Sequence, residues 1–207
     1  MNPEEIAKIL LRIRAVELRP DNPFTYSSGL KSPIYTDNRL LMSYPPARRK
    51  IVSALKEVIE DNNWEPDVIA GVATGAIPHA AWLSEELNRP MIYIRGKAKE
   101  HGRQNQIEGK LNPEQTVVII EDLISTGRSS AEAAEAVLAA GARIAGLAAI
   151  FSYELAEAED ILGKLGFPVV SLTDVSKLTQ VAVKHNYISE KDRLMILEWQ
   201  KSPEDWQ

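Results

Sequence analysis

Between Val117 and Ser129 the chain reads VVIIEDLISTGRS, in which four apolar residues run into two adjacent carboxylates, Glu121 and Asp122, and then into a Ser-Thr-Gly turn. Backbone N–H groups at the start of a helix form a cradle for phosphate, and Ser125, Thr126 and Ser129 would add hydroxyl donors. Gly127 can adopt φ > 0 and lets the backbone approach a ligand closely. Carboxylates beside a phosphate would repel it, so Glu121 and Asp122 are expected to face the hydroxyls of a sugar. The string therefore predicts a site for a phosphorylated sugar. The plainer reading, a strand ending in a solvated acidic turn with Ser125 or Ser129 as helix cap, explains single residues but not the whole string.

A second string, Arg95 to Lys110, carries Arg95, Lys97, Lys99, Arg103 and Lys110 against Glu100 and Glu108, so 5 − 2 gives +3 in a chain of net charge −5. A cationic, glycine-bearing loop packs no core and suits a lid over a polyanion such as pyrophosphate. In GVATGAIPHA an apolar run opens into a helix, so Thr74, Gly75 and Ala76 could hold pyrophosphate through their N–H groups. His101, within the lid string, is the functional candidate among the three histidines. His79, on an apolar helix face, reads as a satisfied structural residue, and His185 as a surface one. Zinc-peptidase, dinucleotide-fold, serine-hydrolase and P-loop strings do not occur, and no paired metal-ligand spacing predicts a metal site on the protein.

These loops need a frame. VIAGVA, MIYIR, TVVIIED, IAGLAAIFS and PVVSLTD read as five buried strands, with helices near Ile77 to Asn88, Ser129 to Ala140, Leu155 to Leu165 and Ser189 to Gln200. Apolar strands alternating with helices imply a parallel sheet covered on both faces, with ligands at the carboxyl ends of the strands. Before them, Ile6, Ile9, Leu10 and Ile13 space a first amphipathic helix that should end near the Pro20 to Pro23 breakers. FTYSSGLKSPIYTDNR then reads as a short hairpin or irregular β segment, and Pro45 opens a second helix with Ile51, Val52, Leu55, Val58 and Ile59 on one face.

Composition bounds the rest. At 207 residues the chain fits one domain, and 44% hydrophobic with 26% charged residues is the composition of a soluble globular protein. With no cysteine, disulfide scaffolds, thiolate metal sites and cysteine nucleophiles are excluded, which fits a cytoplasmic setting. The N-terminus is too charged for a signal peptide or a span.

The Val117 to Ser129 string resembles the phosphoribosyl pyrophosphate (PRPP) signature of the type I phosphoribosyltransferases. FTYSSGLKSPIYTDNR, GVATGAIPHA and YIRGKAKEHGRQNQIEG look like those of the orotate phosphoribosyltransferases, and the likeness runs from about Leu18 to Trp206. It implies the type I α/β fold, a mostly parallel five-stranded sheet flanked by helices, with a helix and hood over 1–40 and the core over 41–207. It implies PRPP and orotate as substrates, and orotidine 5'-monophosphate and pyrophosphate as products in pyrimidine (UMP) biosynthesis. Mg2+ would be carried by PRPP. A homodimer would share the Arg95 to Lys110 lid between subunits, with no nucleic-acid or membrane partner.

Carried over by matching position, Lys99, His101 and Asp122 are catalytic. PRPP contacts fall to Arg95, Lys97, Lys99, His101, Glu121, Asp122, Leu123, Ile124, Ser125, Thr126, Gly127, Arg128 and Ser129. Pyrophosphate contacts fall to Thr74, Gly75 and Ala76, and orotate contacts to Ser125, Tyr35 and Lys31. The chain departs from the family in four places. Gly96 stands where a second basic residue is common, Thr74 and Gly75 where some members carry Tyr-Lys, and Ser27 where some carry a lysine. FSYELAEA lacks an orotate-binding arginine, which leaves Lys31, Arg39 and backbone amides as candidates for the carboxylate. A transferase for a purine base, or a PRPP-sensing regulator, would share the Val117 to Ser129 string; the lid favours catalysis.

Overall fold

A computed structural model describes residues 2–26, 29–96 and 106–206. Helix α1 (Pro3–Arg12) leads to the short strands β1 (Val16–Leu18), β2 (Phe24–Thr25), β3 (Lys31–Ser32) and β4 (Ile34–Thr36), a 3-10 helix over Asn38–Ser43, and helix α2 (Pro45–Asp61). The core alternates β5 (Val68–Val72), α3 (Ile77–Leu87), β6 (Met91–Ile94), β7 (Ile107–Glu108), β8 (Thr116–Ile124), α4 (Arg128–Ala139), β9 (Arg143–Ser152), α5 (Ala156–Leu162) and β10 (Val169–Asp174). Helices α6 (Val175–Lys184) and α7 (Glu190–Lys201) close the chain. No helix among the described residues is long and apolar enough to cross a membrane.

The main sheet runs β10-β9-β8-β5-β6-β7. Its first five members are parallel and β7 pairs antiparallel with β6. The five strands read from sequence are the parallel five, so the sheet has six strands rather than five. The extra one is two residues long, too short to leave a periodic signal, and it lies inside the string read as a lid. Two helix readings also change. Helix α1 stops at Arg12, because Val16 to Leu18 pair with Ile34 to Thr36 as a β ribbon. Helix α6 escaped notice because β10 runs into it without a break, Asp174 ending the strand and capping the helix by accepting from Lys177 N–H at 2.7 Å.

Alternation along the strands divides the core. Ile69, Val118, Ile120, Ala148, Ile150 and Leu172 pack toward α1, α2, α3 and α6. Val68, Ala70, Val117, Ile119, Leu147 and Ala149 face α4 and α5, as the two-residue side-chain period of a strand requires. Chain order reverses between β5 and β8, which lie side by side although β6 and β7 come between them in sequence. In open α/β sheets such a reversal opens a crevice at the strand carboxyl ends, and here it sets the loop after β5 beside the loop after β8. β2 pairs antiparallel with β3, Phe24 opposite Ser32, and β1 with β4; Tyr26 and Leu30, between β2 and β3, line a cavity with Ser125 and Thr126 of the turn after β8.

Candidate active site

The turn after β8 is built to receive an anion. Gly127, at φ +79°, is the N-cap of α4, and no side chain caps that helix. The N–H groups of Ser125, Thr126, Gly127, Arg128 and Ser129 find no acceptor among the described residues. Five consecutive N–H groups at the positive end of a twelve-residue helix make a phosphate nest. Neither Ser125 nor Ser129 serves as the cap. A β-carbon at Gly127 would also come within 3.1 Å of Leu162 Cγ, so both conformation and space call for glycine there.

The two carboxylates part company. Glu121 is 3% exposed and turned inward, its Oε2 accepting from Ser130 Oγ at 3.1 Å and Ser129 Oγ at 3.2 Å, its Oε1 from Asp122 N–H at 3.1 Å. Burial first, and then the neighbouring Asp122, pushes its pKa up to about 8. The expectation that both acids face a sugar is therefore corrected. Consecutive side chains of β8 point to opposite faces, so Glu121 falls on the α4 side and only Asp122 faces the crevice.

Asp122 meets the loop after β5 at close range. A β-carbon on Gly75 would lie 2.0 Å from Asp122 Oδ2, so any side chain there would require the carboxylate to shift. In this loop the Ala73–Thr74 peptide is cis, and the Ala76 N–H is used internally, donating to Val72 O at 3.1 Å. The pyrophosphate cradle expected of Thr74, Gly75 and Ala76 is thereby reduced to the N–H groups of Thr74 and Gly75, which find no acceptor among the described residues.

Other expected contacts are differently disposed. Leu123 is half-buried against the core, and Ile124, 4% exposed, points to a cavity beside α5, so both can serve the loop only through their backbones. Arg128 is paired with Glu157 through Nη2 at 2.6 Å and Nε at 2.7 Å. At the base of the lid string, Arg95 Nη2 lies 2.9 Å from Glu108 Oε1 and Arg95 N–H donates to Gln106 O at 2.8 Å, where β6 and β7 pair. Lys97, Lys99 and His101 lie outside the described residues, as does Ser27.

The hood brings the remaining candidates. Tyr35 is 40% exposed with its ring 5.3 Å from that of Phe24, and Lys31 is exposed. Tyr26 donates its hydroxyl to Ile34 O at 2.9 Å and lies 3.5 Å from the Tyr153 hydroxyl. Tyr153 follows β9, inside FSYELAEA; its ring packs edge-on against Phe151 and Trp199, and burial holds its hydroxyl neutral by pushing its pKa well up. Tyr26, Leu30, Tyr153 and Trp199 line a cavity of about 520 Å3 that reaches Ser125 and Thr126. Sequence reasoning missed Tyr26 and Tyr153 because an isolated tyrosine carries no spacing signal.

His79 is fully buried, edge-on to Trp82 at 5.5 Å. Burial lowers its pKa to about 4, partly offset by its hydrogen bond with the Asn38 backbone. His185 is exposed, as expected.

The acceptor-free turn, the crevice carboxylate and the topological reversal come together on a doubly wound sheet, and a family model of the phosphoribosyl transferase domain matches residues 41–181. The chain belongs to the phosphoribosyl transferase family. The orotate phosphoribosyltransferase of Listeria monocytogenes serotype 4b is 50% identical over 203 residues, 98% of this chain and 97% of that one. Among solved structures, orotate phosphoribosyltransferase from Aeropyrum pernix superposes with a TM-score of 0.76 at 29% identity, over 89% of this chain and 99% of that one. Leishmania donovani UMP synthase gives 0.81 at 31% identity over 97% of this chain, which spans 42% of that longer protein. Within its family the chain stands among the orotate phosphoribosyltransferases.

Proposed function

We propose that the chain transfers the phosphoribosyl group of PRPP to orotate, giving orotidine 5'-monophosphate and pyrophosphate, a step in the synthesis of pyrimidine nucleotides. The observation that carries this reading is the row of five acceptor-free N–H groups from Ser125 to Ser129, directly after Asp122, whose carboxylate meets Gly75 of the loop after β5.

In this mechanism the nest binds the 5-phosphate and fixes the ribose, a placement that converts a bimolecular encounter into a positioned one. Asp122 accepts from the ribose hydroxyls and lies where it can oppose the positive charge that develops on the sugar as the anomeric C–O bond breaks. Glu121 serves the loop, holding Ser129 and Ser130. The N–H groups of Thr74 and Gly75 receive the departing pyrophosphate, joined by Arg95, Lys97, Lys99 and His101 of the lid, and lid closure excludes the water that would compete with orotate. The orotate nitrogen then forms the new bond to the anomeric carbon. Orotate lies under the hood, against Tyr35, Lys31 and Ser125.

Magnesium fits as a companion of the substrate. No cluster of three or more potential ligands occurs among the described residues, and the lone crevice carboxylate, Asp122, suits an ion that keeps most of its ligands from phosphate and water. Bound there, it would neutralise the leaving pyrophosphate. A homodimer in which each subunit's lid serves its partner completes the proposal, and a mixed dimer of Lys99→Ala and Asp122→Asn chains should regain activity that neither parent has.

The test is a spectrophotometric assay of PRPP-dependent orotate loss, with xanthine, guanine and uracil as competitors. Consumption of orotate that these bases leave unchanged is the expected result. Turnover of a purine base in preference to orotate would overturn the assignment.

A further inference from the structure

Asn38 opens the 3-10 helix that follows the hood, and it is 1% exposed. Its Nδ2 donates to the backbone carbonyl of Asp122 at 2.6 Å, across 84 residues of sequence. The position of this bond is telling. The ladder between β5 and β8 stops at the pair Gly71 and Ile120, two residues short of Asp122, and a buried carbonyl beyond the end of a ladder needs another donor. Asn38 provides it.

Asn38 is itself held from both sides. The Asp37 N–H donates to Ala15 O at 2.7 Å, and the Asp37 carboxylate accepts from Arg39 Nε at 2.7 Å and Nη2 at 3.0 Å. The other amide atom, Asn38 Oδ1, has no partner among the described residues. A buried amide that leaves one atom unsatisfied costs stability, so packing alone would be better served by an apolar side chain of similar size. What the amide supplies is a fixed height for the Asp122 backbone, and hence for a carboxylate that must fit the space over Gly75.

We infer that Asn38 is a positioning residue for Asp122: its amide replaces the missing strand partner and couples the hood to the carboxylate that faces the sugar. The inference rests on the role proposed above for Asp122. The experiment is a double-mutant cycle in the full-length enzyme, with Asn38→Leu, Asp122→Asn and the pair, reading kcat, both KM values and thermal melting. Asn38→Leu should lower kcat by about tenfold or more while KM for orotate stays within about twofold. Added to Asp122→Asn, it should cost less than about twofold further, because two changes that act through one group do not multiply. If Asn38→Leu does not fold, Asn38→Ala, which removes the donor with the smaller change of packing, carries the same cycle.

Wild-type kcat in the Asn38 variant beside an impaired Asp122→Asn would overturn the inference and leave the Asp122 assignment standing. So would losses that multiply in the double variant, or a lowered melting temperature with unchanged kcat. Wild-type turnover in Asp122→Asn would remove the assignment itself, and with it the inference.

Discussion

The turn after β8 and the hood above it contribute to one crevice in opposite ways. From Val117 to Ser129 the ligand-facing groups come from a continuous strand, turn and helix, and the N–H nest exists because thirteen consecutive residues take their preferred local shapes. Across the crevice, Tyr26 reaches Tyr153 over 127 residues and Asn38 reaches Asp122 over 84. The first region is a motif in the chain; the second is a motif only in space. In the proposed function, phosphate recognition thus rests on backbone geometry that tolerates little change, while the base site rests on side chains whose loss should be graded.

The sharpest way to break that contrast is at Gly75, where an added β-carbon would lie 2.0 Å from Asp122 Oδ2. Gly75→Ala displaces the carboxylate from the crevice without touching the core, and it should match Asp122→Asn, each lowering kcat/KM for PRPP by at least ~10²-fold, about 2.7 kcal/mol of transition-state stabilisation. Steady-state kinetics alongside melting curves checks both. Near-normal rates in either variant would show that the carboxylate is not poised where the geometry puts it.

A smaller effect is expected in the hood. Tyr26→Phe removes the hydroxyl that donates to Ile34 O and meets Tyr153, a net loss of about 1 kcal/mol, or roughly fivefold in affinity. That loss should fall on KM for orotate and spare KM for PRPP. Equal increases in both constants would mean that the two regions are one energetic unit.

The smallest net signal in the wild type is in stability against pH, where opposing contributions from the two regions nearly cancel. His79, under the hood side of the sheet, has its folded pKa lowered to about 4 from the ordinary 6.5, so the unfolded chain binds its proton first. Its contribution is complete above pH ~6.5 and falls by about 2 kcal/mol on going from pH 7 to 5. Glu121, behind the phosphate turn, has its folded pKa raised to about 8 from 4.5. The folded chain therefore holds this proton longer, and stability is lost as pH rises from about 4.5 toward 8. Wild-type melting should vary little between pH 5 and 7. His79→Leu should leave a protein less stable at pH 7 than at pH 5, and Glu121→Gln one less stable at pH 5 than at pH 7. Parallel slopes in the two variants would refute the opposition.

The same contrast governs how much could be read without coordinates. Apolar runs declared the five parallel strands, and the Glu-Asp-x-x-Ser-Thr-Gly order predicted a turn opening a helix after β8, because the torsions of a turn involve neighbours in sequence. Strand β7 and helix α6 were missed, the one too short and the other too directly joined to β10 for periodicity to mark them. The lid reading rested on charge, and its residues 97–105 lie outside the described ones; at its base Arg95 pairs with Glu108.

Composition and local order by themselves determined an α/β fold with five parallel strands, and pointed to the turn after β8 as an anion site. Only the tertiary structure decided that Glu121 turns away while Asp122 faces the crevice, that Arg128 pairs with Glu157, and that Gly75 leaves space for a carboxylate. It alone showed Asn38 finishing the job of a missing strand. A turn is fixed by torsions within a few residues, whereas the direction of a side chain and the identity of its partner depend on which distant segments the sheet brings alongside it.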